Sequence, residues 1–300
     1  MHKSVLLNEV IESLNLDSES IVVDCTLGYG GHSSEILKRI KKGFLFAFDQ
    51  DDDAIEYSTK RLSEIGDNFK IIKSNFVDIK KYIGEVDGIL YDLGVSSPQL
   101  DTKERGFSFH NDATLDMRMD KSAKLSAKEV VNNYSAQELM NIFFKYGEEK
   151  YAKSIANKIV EYRKNKEIET TLELVDIISS SVPEKYKREH HPARKVFQAI
   201  RIEVNKELEV FENALKDAID MLNVGGRVCV ITFHSLEDKI CKDIFKKVST
   251  VPKELKNMPI IPDYLLPKYK VIDVIDPKDS EIEENKRSRS ARLRVIERVR

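Results

Sequence analysis

Apolar positions open the chain at helical spacing: Leu7, Val10, Ile11 and Leu14 share one face. The pattern then shifts to short apolar runs separated by amphipathic stretches. Ile21 to Val23 leads into Asp24, and Phe44 to Phe48 ends in Asp49, with an amphipathic stretch from about Ser33 to Lys42 between them. Phe69 to Ser74 reads as a third strand and Asp87 to Leu93 as a fourth. Alternation of this kind predicts a parallel sheet with helices on both faces. The next strand, Arg227 to Phe233, is announced by Gly225-Gly226. The helix before it carries Leu208, Phe211, Leu215, Ala218 and Leu222 at 3-4-3-4 spacing and is enough by itself to complete a crossover. A helix to about Val248 follows, then a stretch punctuated by Pro252, Pro259, Pro262 and Pro267. Two β-like runs, Tyr269 to Ile275 and Arg292 to Val299, finish the chain as a hairpin, and the charged segment Pro277 to Ser290 between them reads as a loop. There are no internal repeats.

Between strand four and the crossover helix lie about a hundred surplus residues, far beyond ordinary loop lengths. Their pattern is helical. Ser135-Ala136-Gln137-Glu138 fits a capping box, followed by Leu139, Ile142, Phe143 and Tyr146, with Gly147 as the stop. Thr170 to Glu173 repeats the box ahead of Leu174, Val175 and Ile178. Gly147 is the only glycine between residues 107 and 224, fewer than hairpins would need. The expected architecture is α/β: a sheet domain of residues 1–103 and 206–300, interrupted by an all-helical domain at 104–205.

The turn after the first strand carries the chemistry. It runs Asp24-Cys25-Thr26-Leu27-Gly28-Tyr29-Gly30-Gly31-His32, and it reads as strand, glycine turn, helix. Glycine there permits positive φ and close approach of a ligand. In a doubly wound sheet, adjacent strand ends share one crevice, so Asp49 can reach the ribose hydroxyls of a nucleoside held over the turn. A dinucleotide fingerprint needs G-x-G-x-x-G, but Ser33 stands at the third glycine position. Asp24 opens the turn with a carboxylate that would repel a pyrophosphate and suits the ammonium of an amino acid. Both features favour S-adenosylmethionine over NAD.

Strand four ends in Asp92-Leu93-Gly94, then Val95-Ser96-Ser97-Pro98-Gln99, bordering the same crevice. Ser97-Pro98-Gln99 partly matches the Asp/Asn/Ser-Pro-Pro-aromatic motif of amino-methylating enzymes. Methylation of a pyrimidine ring carbon usually needs a thiolate. No cysteine follows strand four, whereas an exocyclic amine needs only orientation and a proton acceptor. Asp92, Ser96 and Ser97 are candidates for that acceptor. His234, just after strand five, is a further catalytic candidate, and His234-Ser235 also fits a helix start with Ser235 capping.

Composition narrows the setting. Lys and Arg number 49 against 51 Asp and Glu, so any nucleic-acid contact must come from local patches. Two are visible: one around Arg194, Lys195 and Arg201, and one containing Arg287, Arg289 and Arg292. Cys25, Cys229 and Cys241 are isolated, with neither zinc spacing nor a disulfide framework. The N-terminus lacks a signal-peptide pattern and no apolar run reaches membrane-spanning length, which points to the cytoplasm. No metal and no membrane partner are expected.

Taken together, the chain resembles the bacterial 16S rRNA cytosine-N4 methyltransferases, the RsmH/MraW family. The runs that carry the resemblance are His2 to Leu7, Asp24 to His32, Asp87 to Leu100, Arg105 to Phe109 and Leu115 to Met119. Tyr146 to Glu149, His191 to Arg194, Phe197 to Arg201, Phe233 to Asp238 and Arg287 to Ser290 extend it over essentially the whole chain. It departs mildly at Cys25, Tyr29 and Lys195. The resemblance implies a Rossmann-like class I methyltransferase sheet with a terminal β-hairpin and an inserted helical substrate-recognition domain. It implies methyl transfer from S-adenosylmethionine to cytidine N4 in the decoding region, with free 16S rRNA or the small ribosomal subunit as partner. Cofactor contacts carry over to Gly30, Gly31, His32, Asp49, Phe76, Asp92 and Gln99, and the residue reading adds Asp24 and Gly28. Two other readings compete: a nicotinamide-dependent oxidoreductase on the same sheet, and a non-enzymatic ribosome-assembly factor that binds RNA.

Overall fold

The computed structural model describes residues 4–255 and 260–300; His2, Lys3 and Pro259, used above, lie outside them. Helix α1 (Leu7–Ser13) precedes β1 (Ile21–Asp24), α2 (Gly31–Arg39), β2 (Phe44–Asp49), α3 (Asp52–Ser63), β3 (Phe69–Lys73), α4 (Ile79–Tyr82) and β4 (Val86–Asp92). Seven helices follow: α5 (Ser97–Asp101), α6 (Ala127–Asn133), α7 (Ala136–Gly147), α8 (Ala152–Arg163), α9 (Thr171–Ser180), α10 (Glu184–Glu189) and α11 (Ala193–Asn205). The chain then forms α12 (Glu207–Asp220), β5 (Leu222–Thr232), α13 (Ser235–Ser249), β6 (Tyr269–Ile275), α14 (Asp279–Glu284) and β7 (Arg292–Arg298). It divides into two compact units, residues 1–94 with 208–300, and residues 95–207.

In the first unit the strands lie in the order β3-β2-β1-β4-β5-β7-β6. The first five are parallel, and β7 pairs antiparallel with both β5 and β6. This is an open, mostly parallel sheet closed by an antiparallel hairpin, as the sequence pattern predicts. Side chains alternate between two cores with the period of a strand. Val23, Ile89, Tyr91, Val228 and Val230 face α12 and α13 residues such as Phe211, Leu215 and Phe245. Val22, Leu45, Leu90, Cys229 and Ile231 join Val10, Ile11, Ile36 and Leu62 of α1, α2 and α3 on the other side. Burial on both faces explains why these strands read as continuous apolar runs.

Three local expectations change. Strand β5 starts at Leu222, ahead of the two glycines, so Leu222 belongs to the sheet rather than to the helix before it. Gly225, at φ 87°, takes up a register irregularity between Val86 and Gly88 of β4. The segment read as a charged loop contains α14, because Glu281 there accepts the backbone N–H of Leu6 at 2.7 Å and ties down the start of α1.

The second unit starts at Val95, ahead of residue 104, because Val95 and Leu100 already pack on the helical core. That core joins Leu139 and Phe143 of α7, Ile155 and Ile159 of α8, Leu174 and Ile178 of α9, and Val196 and Ile200 of α11. Capping boxes start α7 at Ser135/Glu138 and α9 at Thr170/Glu173, and a third starts α6 at Ser126/Glu129. Gly147 does not supply the left-handed turn that ends α7; Glu148 does, at φ 48°. Gly147 is needed for packing instead: a Cβ there would lie 2.6 Å from the carbonyl oxygen of Lys195 on α11.

Candidate active site

The glycine turn is held from beneath by carboxylates. Asp24, at the end of β1, is 1 % exposed. Its Oδ1 accepts the Thr26 N–H at 3.0 Å and its Oδ2 accepts the Ser33 hydroxyl at 2.6 Å. Ser33, in place of a third glycine, therefore has a structural reason: it anchors α2 to the strand-end carboxylate. The same bonds make Asp24 a brace of the turn, where the sequence reading gave it a ligand's ammonium. Burial pushes its carboxyl up, against the Ser33 bond and the nearby His32.

Gly28 and Gly30 take left-handed backbones, φ 49° and 71°. A Cβ on Gly28 would meet only the Thr26 carbonyl, at 3.9 Å, so this point of the turn faces open space. A Cβ on Gly30 would come within 3.2 Å of Ser58 Oγ, and one on Gly31 within 1.8 Å of Ser4 Oγ. Gly31 thus has a packing role, making room for the N-terminal segment. Ser58 donates to the Gly28 carbonyl at 2.7 Å, and Arg61 to the Tyr29 carbonyl at 3.0 Å, so α3 fixes the turn from its far side.

Asp49 ends β2. Its Oδ2 accepts the Gly28 N–H at 2.8 Å, and its Oδ1 accepts the N–H groups of Gln50 and Asp51 at 2.8 and 2.9 Å. One side chain thereby links the glycine turn to the start of α3. Burial pushes its carboxyl up to about 6, despite these three backbone donors. Each carboxylate oxygen offers two lone-pair sites, so capacity remains for hydroxyl donors. Phe76, just after β3, is half-buried with its ring edge-on to Tyr91 at 5.4 Å, the attitude of a ring that could also pack on a flat ligand.

Asp92 ends β4. Its backbone N–H donates to Thr26 Oγ1 at 2.7 Å, and its side chain is 26 % open. His32 of α2 stands beside it, Nδ1 3.5 Å from Oδ2. His32 Nε2 lies 3.0 Å from the Val5 carbonyl, which can only accept, so Nε2 carries a proton and Nδ1 is the atom left facing Asp92. Burial pushes the Asp92 carboxyl up to about 6; His32 opposes this, while the charges of Asp24 and Glu237 add to it. Glu237, 2 % exposed, is a member of this group that the sequence reading passed over. Its signature was a capping box with an unusual cap: His234 starts α13 and accepts the Glu237 N–H on Nδ1 at 3.4 Å, while Glu237 accepts the His234 N–H. His234, and not Ser235, is the cap. Its Nε2 is buried 3.1 Å from Glu237 Oε1 without an aligned hydrogen bond.

The ends of β1, β4 and β5 thus gather three carboxylates and two imidazoles. Such a group favours a cationic ligand, and the quarter-open Asp92 can accept a proton near neutrality. The residues present fit a nucleoside that carries an ammonium and a sulfonium. A thiolate is not on offer: Cys25, Cys229 and Cys241 are buried and free, and burial pushes each thiol up. Among the described residues no His/Cys/Asp/Glu group could hold a metal, and no helix is long and apolar enough to cross a membrane.

Most of the remaining candidates belong to the helical unit. Ser96 precedes α5, its N–H donating to Gln99 Oε1 at 3.0 Å, and Ser97 begins that helix. Gln99 is 9 % exposed. Arg194 is exposed, while Lys195 donates to the Glu148 carbonyl at 2.8 Å. Arg201 makes a bidentate pair with Glu207 at 2.8 and 2.9 Å, both largely buried, which is a structural use of its charge. In the sheet unit Arg287 and Arg289 are exposed, but Arg292 pairs with Asp276 at 2.7 Å. The basic runs visible in sequence are therefore less uniformly available than their density implied.

The model of the MraW methylase family matches residues 1–299. An rRNA methylase from Streptococcus thermophilus is 13 % identical, with 100 % of this chain and 99 % of that one covered and a TM-score of 0.45. A Streptococcus mutans protein solved in complex with SAH is 14 % identical, with 99 % of both chains covered and a TM-score of 0.46.

Proposed function

Because the chain belongs to the MraW methylase family, we propose that it transfers a methyl group to N4 of a cytidine in the decoding region of 16S rRNA. It is a methyltransferase, and its cofactor is S-adenosylmethionine. When bound, that cofactor supplies a methyl group on an electron-poor sulfonium sulfur. Gly28 and Gly30 shape the turn that receives it, Asp49 holds the ribose hydroxyls, and Phe76 packs against the adenine. The buried carboxylates favour the cationic form of the ligand over the product, which has lost the sulfonium charge.

The observation that carries the amine assignment is Asp92: a carboxylate a quarter open, raised to about 6, with His32 Nδ1 3.5 Å away. Transfer to an amine forms an N–C bond at the expense of the sulfonium's S–CH3 bond, whose electron pair would stay on sulfur, and requires one N4 proton to leave. Asp92 accepts that proton, and His32 shares it. An acceptor matched to neutral pH is suited to this step. The buried neutral thiols support the same reading, since ring-carbon methylation would need one of them ionised. Arg194, Lys195, Arg287 and Arg289 contact RNA phosphates, and the helical unit serves as the substrate-recognition domain. The target base must be unstacked to meet the strand ends.

The test is mass-spectrometric mapping of methyl groups on 16S rRNA from cells with and without the protein. The reading predicts loss of a methyl on one cytidine N4. A lost methyl on a ring carbon, or on a ribose oxygen, would refute it.

A further inference from the structure

The helical unit carries a group of rings that methyl transfer leaves unused. The Phe109 ring lies 4.4 Å from His110 and 4.4 Å from His191, tilted by 49° and 32°. The two imidazoles are 5.4 Å apart. Phe197, buried on α11, backs Phe109 edge-on at 5.7 Å. The assembly is thus fixed to the core on one side, while His110 and His191 are exposed on the other. Solvent-facing rings held in place by a core are pre-ordered for stacking, since little side-chain freedom remains to be lost on binding. Burial and the neighbouring His110 hold His191 below the usual imidazole range, so its ring is neutral at physiological pH.

The surroundings select the occupant. Residues 185–195 contain five Lys or Arg and a single carboxylate, Glu189. Arg194, whose N–H donates to the His191 carbonyl at 3.2 Å, is exposed one turn beyond the rings. Rings beside cationic side chains match an unpaired nucleotide, whose base stacks while its phosphate meets the charge.

We propose that Phe109, His110 and His191 form a stacking platform for an unpaired base of the RNA substrate, with Arg194 on the adjoining phosphate. This rests on the RNA reading above and adds a residue-level site to it. The platform needs no hydrogen-bond readout, so it tolerates different bases and grips a strand instead of naming a sequence.

The chain contains no tryptophan, so His191→Trp introduces the only indole. Titration of that variant with a single-stranded oligocytidine should quench its fluorescence, and a blunt RNA duplex of equal length should quench it far less. The His110→Ala/His191→Ala variant should lose at least tenfold in oligocytidine affinity by fluorescence anisotropy, and His191→Phe should keep near-native affinity. S-adenosylmethionine affinity by calorimetry should not change in any of them, and wild-type circular dichroism should report that the helical unit folds. Wild-type affinity in the double alanine variant, or equal quenching by duplex and single strand, would overturn the platform while leaving the RNA reading intact. Absence of binding by the wild-type protein to both oligocytidine and 16S rRNA would overturn both.

Discussion

The two units carry their functional groups in different ways. In the sheet unit the groups are carboxylates at strand ends: Asp24 and Asp49 are fixed by backbone N–H groups, Asp92 is a quarter open, and Glu237 is buried with them. In the helical unit they are rings and guanidinium groups on side chains, some turned outward like His191 and Arg194, some spent internally like Arg201. The first arrangement concentrates charge where desolvation makes it strong. The second spreads it where solvent and salt weaken it. The difference teaches that chemistry and affinity should be separable by substitution.

The largest effect should come from Asp92. Asp92→Ala removes the proposed proton acceptor, so single-turnover methyl transfer should fall by about a hundredfold or more at saturating S-adenosylmethionine. RNA affinity, assigned above to Arg194, Lys195, Arg287 and Arg289, should not follow. Asp49→Ala should weaken S-adenosylmethionine by roughly ten- to a hundredfold in calorimetry, as expected for lost hydrogen bonds to a charged group. An unchanged affinity would remove Asp49 from the ribose.

pH sharpens the comparison. Asp49 and Asp92 both titrate near 6 in the folded protein against an ordinary value of 3.8. Between about pH 4 and 6 these two groups therefore hold more protons in the folded chain than in the unfolded one, and their contribution to stability falls as pH rises through that window. Each raised carboxyl costs on the order of 1–3 kcal/mol at neutral pH. Methyl transfer needs the ionised form and should instead decline below about pH 6. Stability in denaturant and single-turnover rate should thus move in opposite directions between pH 6 and 5. Rates that stay flat across that interval would show that neither carboxylate titrates in the working enzyme.

Much of this contrast was legible in the sequence. The glycine turn, Asp24, Asp49 and Asp92 are visible because strand ends and turns are written in local residue order. The capping boxes at Ser135 and Thr170 are visible for the same reason. Three things were not. Gly147 reads as a stop but is a close-approach point between α7 and α11, which only the packed unit shows. Arg201 reads as part of a basic patch, yet its partner Glu207 lies six residues on and in a different helix. The platform rings come from Phe109, His110 and His191, some eighty residues apart along the chain, and no periodicity links them.

Smaller effects should separate these roles. Gly147→Ala should destabilise the protein by about 1–3 kcal/mol through overpacking against α11, read from its denaturation midpoint. Arg201→Gln should likewise lower stability while leaving the salt dependence of RNA binding unchanged. The Arg287→Gln/Arg289→Gln variant should reduce the log–log salt slope by roughly one to two. If Arg201→Gln flattens the salt slope and the double variant does not, the division between structural and RNA-facing arginines is wrong.

The central claim is that Asp92 takes the proton released when a cytidine amine is methylated. The most direct measurement is single-turnover transfer of a labelled methyl group from saturating S-adenosylmethionine to 16S rRNA, with wild-type protein and Asp92→Ala compared at pH 7.5 and the products mapped by mass. The account predicts N4-methylcytidine at one position from the wild type and a rate at least about a hundredfold lower from the variant, with both proteins folded by circular dichroism. A near-wild-type rate from Asp92→Ala, or a label found on a ring carbon, would contradict it.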